Sequence, residues 1–232
     1  MYHAIMTAFA HLRIPSSTFM GWLNADDWLF PDALSTIASI GEQYPHVDWI
    51  SGWQCNFDAQ GRLVNMERTR RYPQQIVAHG LADGIHWPFL QQESTFWRKK
   101  LWDTAGGLDS TFKLAGDWDL WRRFAQKAPL YHVEKQLGSF WRRPGQKSAD
   151  MGAYRKEMDI VCSTEERRKA FATLLRARDG ALSAIPSLRQ DDQGVWREYR
   201  RTPSWKRRWE LFGYSVLPIP AVRNAILGRL HN

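Results

Sequence analysis

The chain is poor in cysteine. Cys55 and Cys162 are its only two, far apart in sequence. That excludes a disulfide framework and every cysteine-rich zinc spacing, and it suits a reducing compartment. Also absent is an apolar run of about 18 residues, so the sequence offers no membrane-spanning helix. The opening MYHAIMTAFAHL has neither a basic start nor a small-residue cleavage site, so no signal peptide is read there. There is no internal repeat and no low-complexity tract. Acidic residues are outnumbered, 24 against 32 Lys and Arg, for a net charge of +8. Such a surface attracts phosphates, acidic headgroups or nucleic acid, but no recognised nucleic-acid-binding motif accompanies it, and none is expected as a partner.

What the chain does have is apolar content and tryptophan. Of its 232 residues 44% are hydrophobic and 13 are Trp, enough for one sizeable core or one domain with an appendage. Indole rings also stack on sugars and sit at membrane interfaces, so their number alone selects no function.

Periodicity places a helix over residues 1–12, with Ile5, Ala8, Phe9 and Leu12 on one face, and a short strand over Thr18–Leu23. Pro31 suits a first helical position, and Leu34, Ile37, Ala38 and Gly41 then share a face. A hairpin is expected from His46–Phe57 through the turn at 58–61 into RLVNM. A short helix is expected from Gln74, a strand at Glu93–Trp97, and a helix from Lys99 closed by Gly106 and Gly107. A further helix spans Ala115–Ala125, followed by a strand or extended loop over Leu130–Trp141. Beyond about residue 150 the chain reads as helical and rich in arginine, so a boundary is placed between 148 and 149.

Three stretches carry candidate chemistry. In GWLNADDWLFPD, Asp26 and Asp27 stand side by side after an apolar run. Adjacent carboxylates repel unless a cation lies between them, and oxygen ligands suit Mg²⁺ or Mn²⁺ shared with substrate phosphates. A solvated turn is the alternative. In LAGDWDLW, Asp117 and Asp119 are two residues apart on a helix, a rotation of roughly 200°, so they cannot face one site. Asp117, in the first turn, either acts on a substrate or merely interacts with the helix dipole, and Asp119 faces water or Arg122 and Arg123. In QQESTFW, Gln92 and Ser94 could hydrogen-bond sugar hydroxyls and Trp97 could stack, or the segment is an ordinary strand.

Taken together, these stretches carry a resemblance. GWLNADDWLFPDAL resembles the Asp-x-Asp region of family 2 glycosyltransferases, where LNxDD leads into a proline-started helix. QQESTFWRKKLWDTAGGLDSTFKLAGDWDLWRRFA is similar to the acceptor region of the same family, ending in its DxDLW motif. The likeness covers about residues 1–148. It implies an α/β chain of the GT-A, Rossmann-like, nucleotide-diphospho-sugar transferase fold, with 149–232 as a basic, helical extension. It implies transfer of a sugar from a nucleotide-diphospho-sugar to an acceptor hydroxyl with inversion. Asp27 would hold Mg²⁺ or Mn²⁺, helped by Asp26, and Asp117 would be the general base. Asn24, Asp26, Arg143 and Lys147 fall on the donor side; Gln92, Glu93, Trp97 and Trp118 fall on the acceptor side. Surface-polysaccharide or other glycan biosynthesis is the expected setting, in the cytoplasm, with a glycan or lipid-linked acceptor.

The chain departs from the family in places. Arg143 stands where many relatives carry a histidine, and His3 and Met6 replace an Asp and an Asn of the first helix. The family's preceding nucleobase-binding half has no counterpart here. The expectation is therefore an N-terminally truncated form that binds nucleotide-sugar weakly or not at all, whether a fragment, a mis-assigned start or half of a split enzyme. An inactive sugar-binding or scaffold remnant is the alternative. A glycoside hydrolase is a poorer fit, because its two carboxyl groups flank a cleft rather than adjoin. From Arg201 onward, Trp205, Trp209 and Phe212 share a face among cations. That segment reads either as a peripheral membrane contact at the inner face of the membrane or as a helix packed on the rest.

Overall fold

The computed structural model describes residues 1–68, 71–146, 150–176 and 184–201. Along the chain run α1 (Tyr2–Ala10), β1 (Phe19–Met20), β2 (Trp28–Leu29), α2 (Ala33–Gln43), β3 (Trp49–Phe57), β4 (Leu63–Glu67) and α3 (Gln74–Ala78). A 3₁₀ turn at Gln92–Ser94 precedes β5 (Thr95–Arg98), α4 (Lys99–Ala105), α5 (Gly116–Ala125) and β6 (Tyr131–Trp141). Then come α6 (Met151–Val161), α7 (Thr164–Arg176), β7 (Ile185–Gln190) and β8 (Trp196–Arg201).

The strands form one open, mixed sheet in the order β1-β5-β3-β6-β7-β8, with β2 on β6 and β4 on β3. The β3–β6 and β6–β7 ladders are parallel and the others antiparallel. Successive side chains of a strand point to opposite faces, and β3 and β5 show it in pairs. Trp49 and Trp97 enter one core with Leu120, Trp121 and Phe124 of α5. Ile50 and Phe96 enter the other with Ile37 and Ile40 of α2 and Val133, Leu137 and Leu188. The chain is thus an α/β layered structure, with α2 on one face and α1 and α3–α7 contributing to the other.

Several expectations need correction. The strand read over Thr18–Leu23 is only Phe19–Met20. A Cβ at Gly21 would lie 2.8 Å from the Phe96 ring, and beyond that point the chain leaves the ladder as Trp22 turns into the tryptophan cluster. On α2 the buried stripe is Ala33, Thr36, Ile37 and Ile40, while Leu34 is 66% exposed. The small residues at 33 and 36 let the helix sit close to the sheet, which a search for large apolar residues misses. The segment after residue 150 is not all helical. α6 and α7 are followed by the β7–β8 hairpin, which extends the same sheet by pairing with β6, so the sheet runs across the boundary drawn at 148/149. Residues 202–232, with the proposed membrane stripe, and Lys147 lie outside the described residues. Among the described residues no helix is long and apolar enough to cross a membrane.

A buried ion network docks α7. Arg167, 1% exposed, donates to Asp83, also 1% exposed, and to Asp159. Asp83 also accepts from the backbone N–H groups of Ile85 and His86 and pairs with His86 Nδ1 at 2.8 Å. Every buried charge here has an opposite partner, without which desolvation would dominate. The network fixes the loop that carries Phe89 and Leu90 to the functional site.

Candidate functional site

Asp26 and Asp27 sit in the turn between β1 and β2, closed by the Asp27 N–H to the Asn24 carbonyl at 3.1 Å. The Asp27 carboxylate, 9% exposed, accepts from the Trp141 N–H at 3.0 Å and from Asn24 Nδ2 at 3.1 Å. Burial nevertheless raises its pKa, and the Asp26 charge adds to the rise. Asp26 is more open. Arg143 at 2.8 Å and Gln146 at 3.2 Å donate to it, and Arg143 chiefly holds its pKa below the usual carboxylate range. The two neighbours thus differ in character: one is partly neutralised by a cation, the other is buried and proton-prone. Beside them Trp28, Phe57 and Trp141 form an edge-to-face aromatic cluster.

The Gln92–Ser94 turn lies across β6, and Gly138 makes that possible. A Cβ there would fall 2.0 Å from the Glu93 carbonyl oxygen. Ser94 Oγ donates to the Gly138 carbonyl at 2.9 Å and locks the crossing. Gln92 does not present itself to an acceptor. Its amide donates to the Trp22 carbonyl, and its oxygen receives Asn24 Nδ2 at 3.3 Å. Gln92 therefore links the Asp27 turn to the tryptophan core.

Glu93 is the central group. It is 3% exposed, and its Oε1 has no hydrogen-bond partner among the described residues. Burial and then the charges of Asp27, Asp117 and Asp26 push its pKa up to about 8. All three aspartates thus act on one buried carboxyl, which is the electrostatic link between the turn at 26–27 and α5.

Asp117 stands in the first turn of α5 and lines a hollow with Phe89, Leu90, Trp118, Trp121 and Tyr154. Its Oδ1 accepts from Tyr154 at 2.9 Å and contacts the Tyr2 hydroxyl at 3.2 Å. Burial raises its pKa, against the lowering effect of the Trp118 N–H and both tyrosines. Asp26 and Asp27 do not line this hollow. Asp119 turns away to Arg123 at 2.8 Å and Arg122 at 3.4 Å, as its rotation on the helix requires.

Besides Gln92, a second acceptor-side expectation changes. Trp97 is fully buried and packs against Trp22, Trp102, Trp121 and Phe124, so its ring is core and is closed to a sugar. Trp118 lines the hollow, with its Nε1 given to the Gly80 carbonyl at 3.2 Å. Gly80, at φ +68°, leaves room for that indole, since a Cβ would lie 2.5 Å from it. Sequence reasoning missed Tyr2, Tyr154 and Gln146. The two tyrosines lie 115 and 37 residues from their carboxylate, with no local signal to couple them.

Among the described residues no three His, Cys, Asp or Glu side chains gather as a metal-holding group. The carboxylates of the turn are engaged by donors, Asp27 by the Trp141 N–H and Asn24, and Asp26 by Arg143 and Gln146. No family model matches the chain, and no curated protein matches it.

Proposed function

We propose that the chain is part of an inverting, metal-dependent glycosyltransferase of GT-A type, with Asp26 and Asp27 on the donor side and Asp117 on the acceptor side. The observation that supports this reading is Glu93, a buried carboxyl whose Oε1 has no hydrogen-bond partner among the described residues and whose pKa is raised by burial first and then by the charges of Asp27, Asp117 and Asp26. It couples the turn and α5 electrostatically, with Asp26 and Asp27 standing outside the Asp117 hollow.

In this reading Asp27 and Asp26 would hold Mg²⁺ or Mn²⁺, which would supply charge neutralisation to a nucleoside diphosphate leaving group. Arg143, already 2.8 Å from Asp26, exchanges that carboxylate for a diphosphate oxygen. Asp117 accepts the proton of the acceptor hydroxyl as that oxygen attacks the anomeric carbon. Its raised pKa makes it a better base than a surface carboxylate. Apolar walls from Phe89, Leu90 and Trp121 keep water away from that proton transfer. The acceptor is a glycan, free or lipid-linked.

The test is a low-affinity calorimetric titration with UDP, with and without Mn²⁺, on the wild-type chain and Asp27→Asn. The expected result is weak binding that requires Mn²⁺ and disappears in Asp27→Asn. Binding that ignores either the metal or the substitution overturns the proposal.

A further inference from the structure

Asp117 is gripped from a helix that the family likeness does not reach. On α6, Tyr154 and Glu157 are three residues apart and so lie on one face. Glu157 reaches the start of α5, where its carboxylate accepts from the backbone N–H groups of Lys113, Leu114 and Ala115 at 2.8–3.1 Å. One turn earlier, the buried Tyr154 hydroxyl donates to Asp117 Oδ1 at 2.9 Å. The same helix therefore fixes both the backbone ahead of Asp117 and the carboxylate itself.

Tyr2 makes a different contribution. Its single hydroxyl proton goes to the Leu114 carbonyl at 2.6 Å, which leaves the 3.2 Å approach to Asp117 as the weaker contact. It reaches this place only because residue 116 is glycine, where a Cβ would lie 2.6 Å from the Tyr2 ring. Both tyrosine contacts fall on Oδ1, and neither occupies Oδ2.

We propose that Tyr154 is a positioning residue that anchors Asp117 through Oδ1 and thereby presents Oδ2 to the acceptor hydroxyl. The assignment rests on the reading of Asp117 as base. The titratable groups that face Asp117 are Tyr2 from α1, Tyr154 from α6 with Glu157 behind it, and Glu93 from the 3₁₀ turn. Among these the Tyr154 hydroxyl is the short donor to the ionised carboxylate, and a hydrogen bond to the charged form favours that form.

The experiment follows carboxyl ¹³C resonances with pH in the wild type, Tyr154→Phe and Tyr2→Phe, with Asp117 assigned by its loss in Asp117→Asn. In Tyr154→Phe the Asp117 titration is expected to move up by about one pH unit, the effect of removing a hydrogen bond to a charged group. Tyr2→Phe is expected to move it much less. Labelling the tyrosine ¹³Cζ atoms of the unsubstituted chain gives a second readout: the Tyr154 resonance should shift at the pH where Asp117 titrates, and should stop doing so in Asp117→Asn. A merely structural Tyr154 would alter the urea midpoint but neither titration. Unchanged titration of Asp117 in a folded Tyr154→Phe variant, or a Tyr154 resonance blind to Asp117, overturns the proposal. Neither readout needs sugar transfer, so both stand or fall apart from the Mn²⁺ and UDP titration.

Discussion

Glu93→Gln is the sharpest perturbation available, because glutamine has the shape of a protonated glutamate and carries no charge to bury. Folding raises this carboxyl from 4.5 to about 8. Between those values the native state holds a proton that the unfolded chain releases, so stability falls as pH rises through the window. Below pH 4.5 both states are protonated and the cost vanishes. At pH 5 it is under about 1 kcal/mol, at pH 7 roughly 3 kcal/mol, and by pH 8.5 it approaches about 5 kcal/mol, at 1.36 kcal/mol per pH unit. Asp27 and Asp117, also raised, remain in both proteins and largely cancel in the difference. Urea unfolding of wild type and Glu93→Gln at half-unit steps from pH 5 to 8.5 measures it. The variant should match the wild type at pH 5 and become progressively more stable toward pH 8.5. A difference that stays flat across that range would refute the claim that Glu93 is buried among the three aspartates.

Two further outcomes follow from the packing. Gly138→Ala places a methyl 2.0 Å from a backbone carbonyl that cannot yield, and should cost about 3 kcal/mol or more in urea unfolding; an unchanged midpoint would show that the Gln92–Ser94 turn does not cross β6 there. Arg167→Ala leaves the carboxylate of Asp83 buried without its guanidinium and should cost about 3–5 kcal/mol, with partial recovery on adding Asp83→Asn; simple additivity in that double-mutant cycle would break the network assignment.

The sequence alone determined the local elements. The turn at 58–61 with Gly61, the left-handed Gly106 that closes α4 and the amphipathic α5 were legible because each depends on residues within a few positions. The separation of Asp117 from Asp119 followed from helical rotation, and Asp119 does turn to Arg122 and Arg123. Only the tertiary structure decided the rest. It placed the β7–β8 hairpin on β6, closed Trp97 into the core, and spent Gln92 on linking Asn24 to Trp22. It also laid Glu93 over Gly138 and brought Tyr154 to Asp117. The physical reason is range. Propensity and periodicity act over a turn or two of chain, whereas burial, charge–charge coupling and side-chain hydrogen bonds act through space between residues whose distance along the chain says nothing of their meeting.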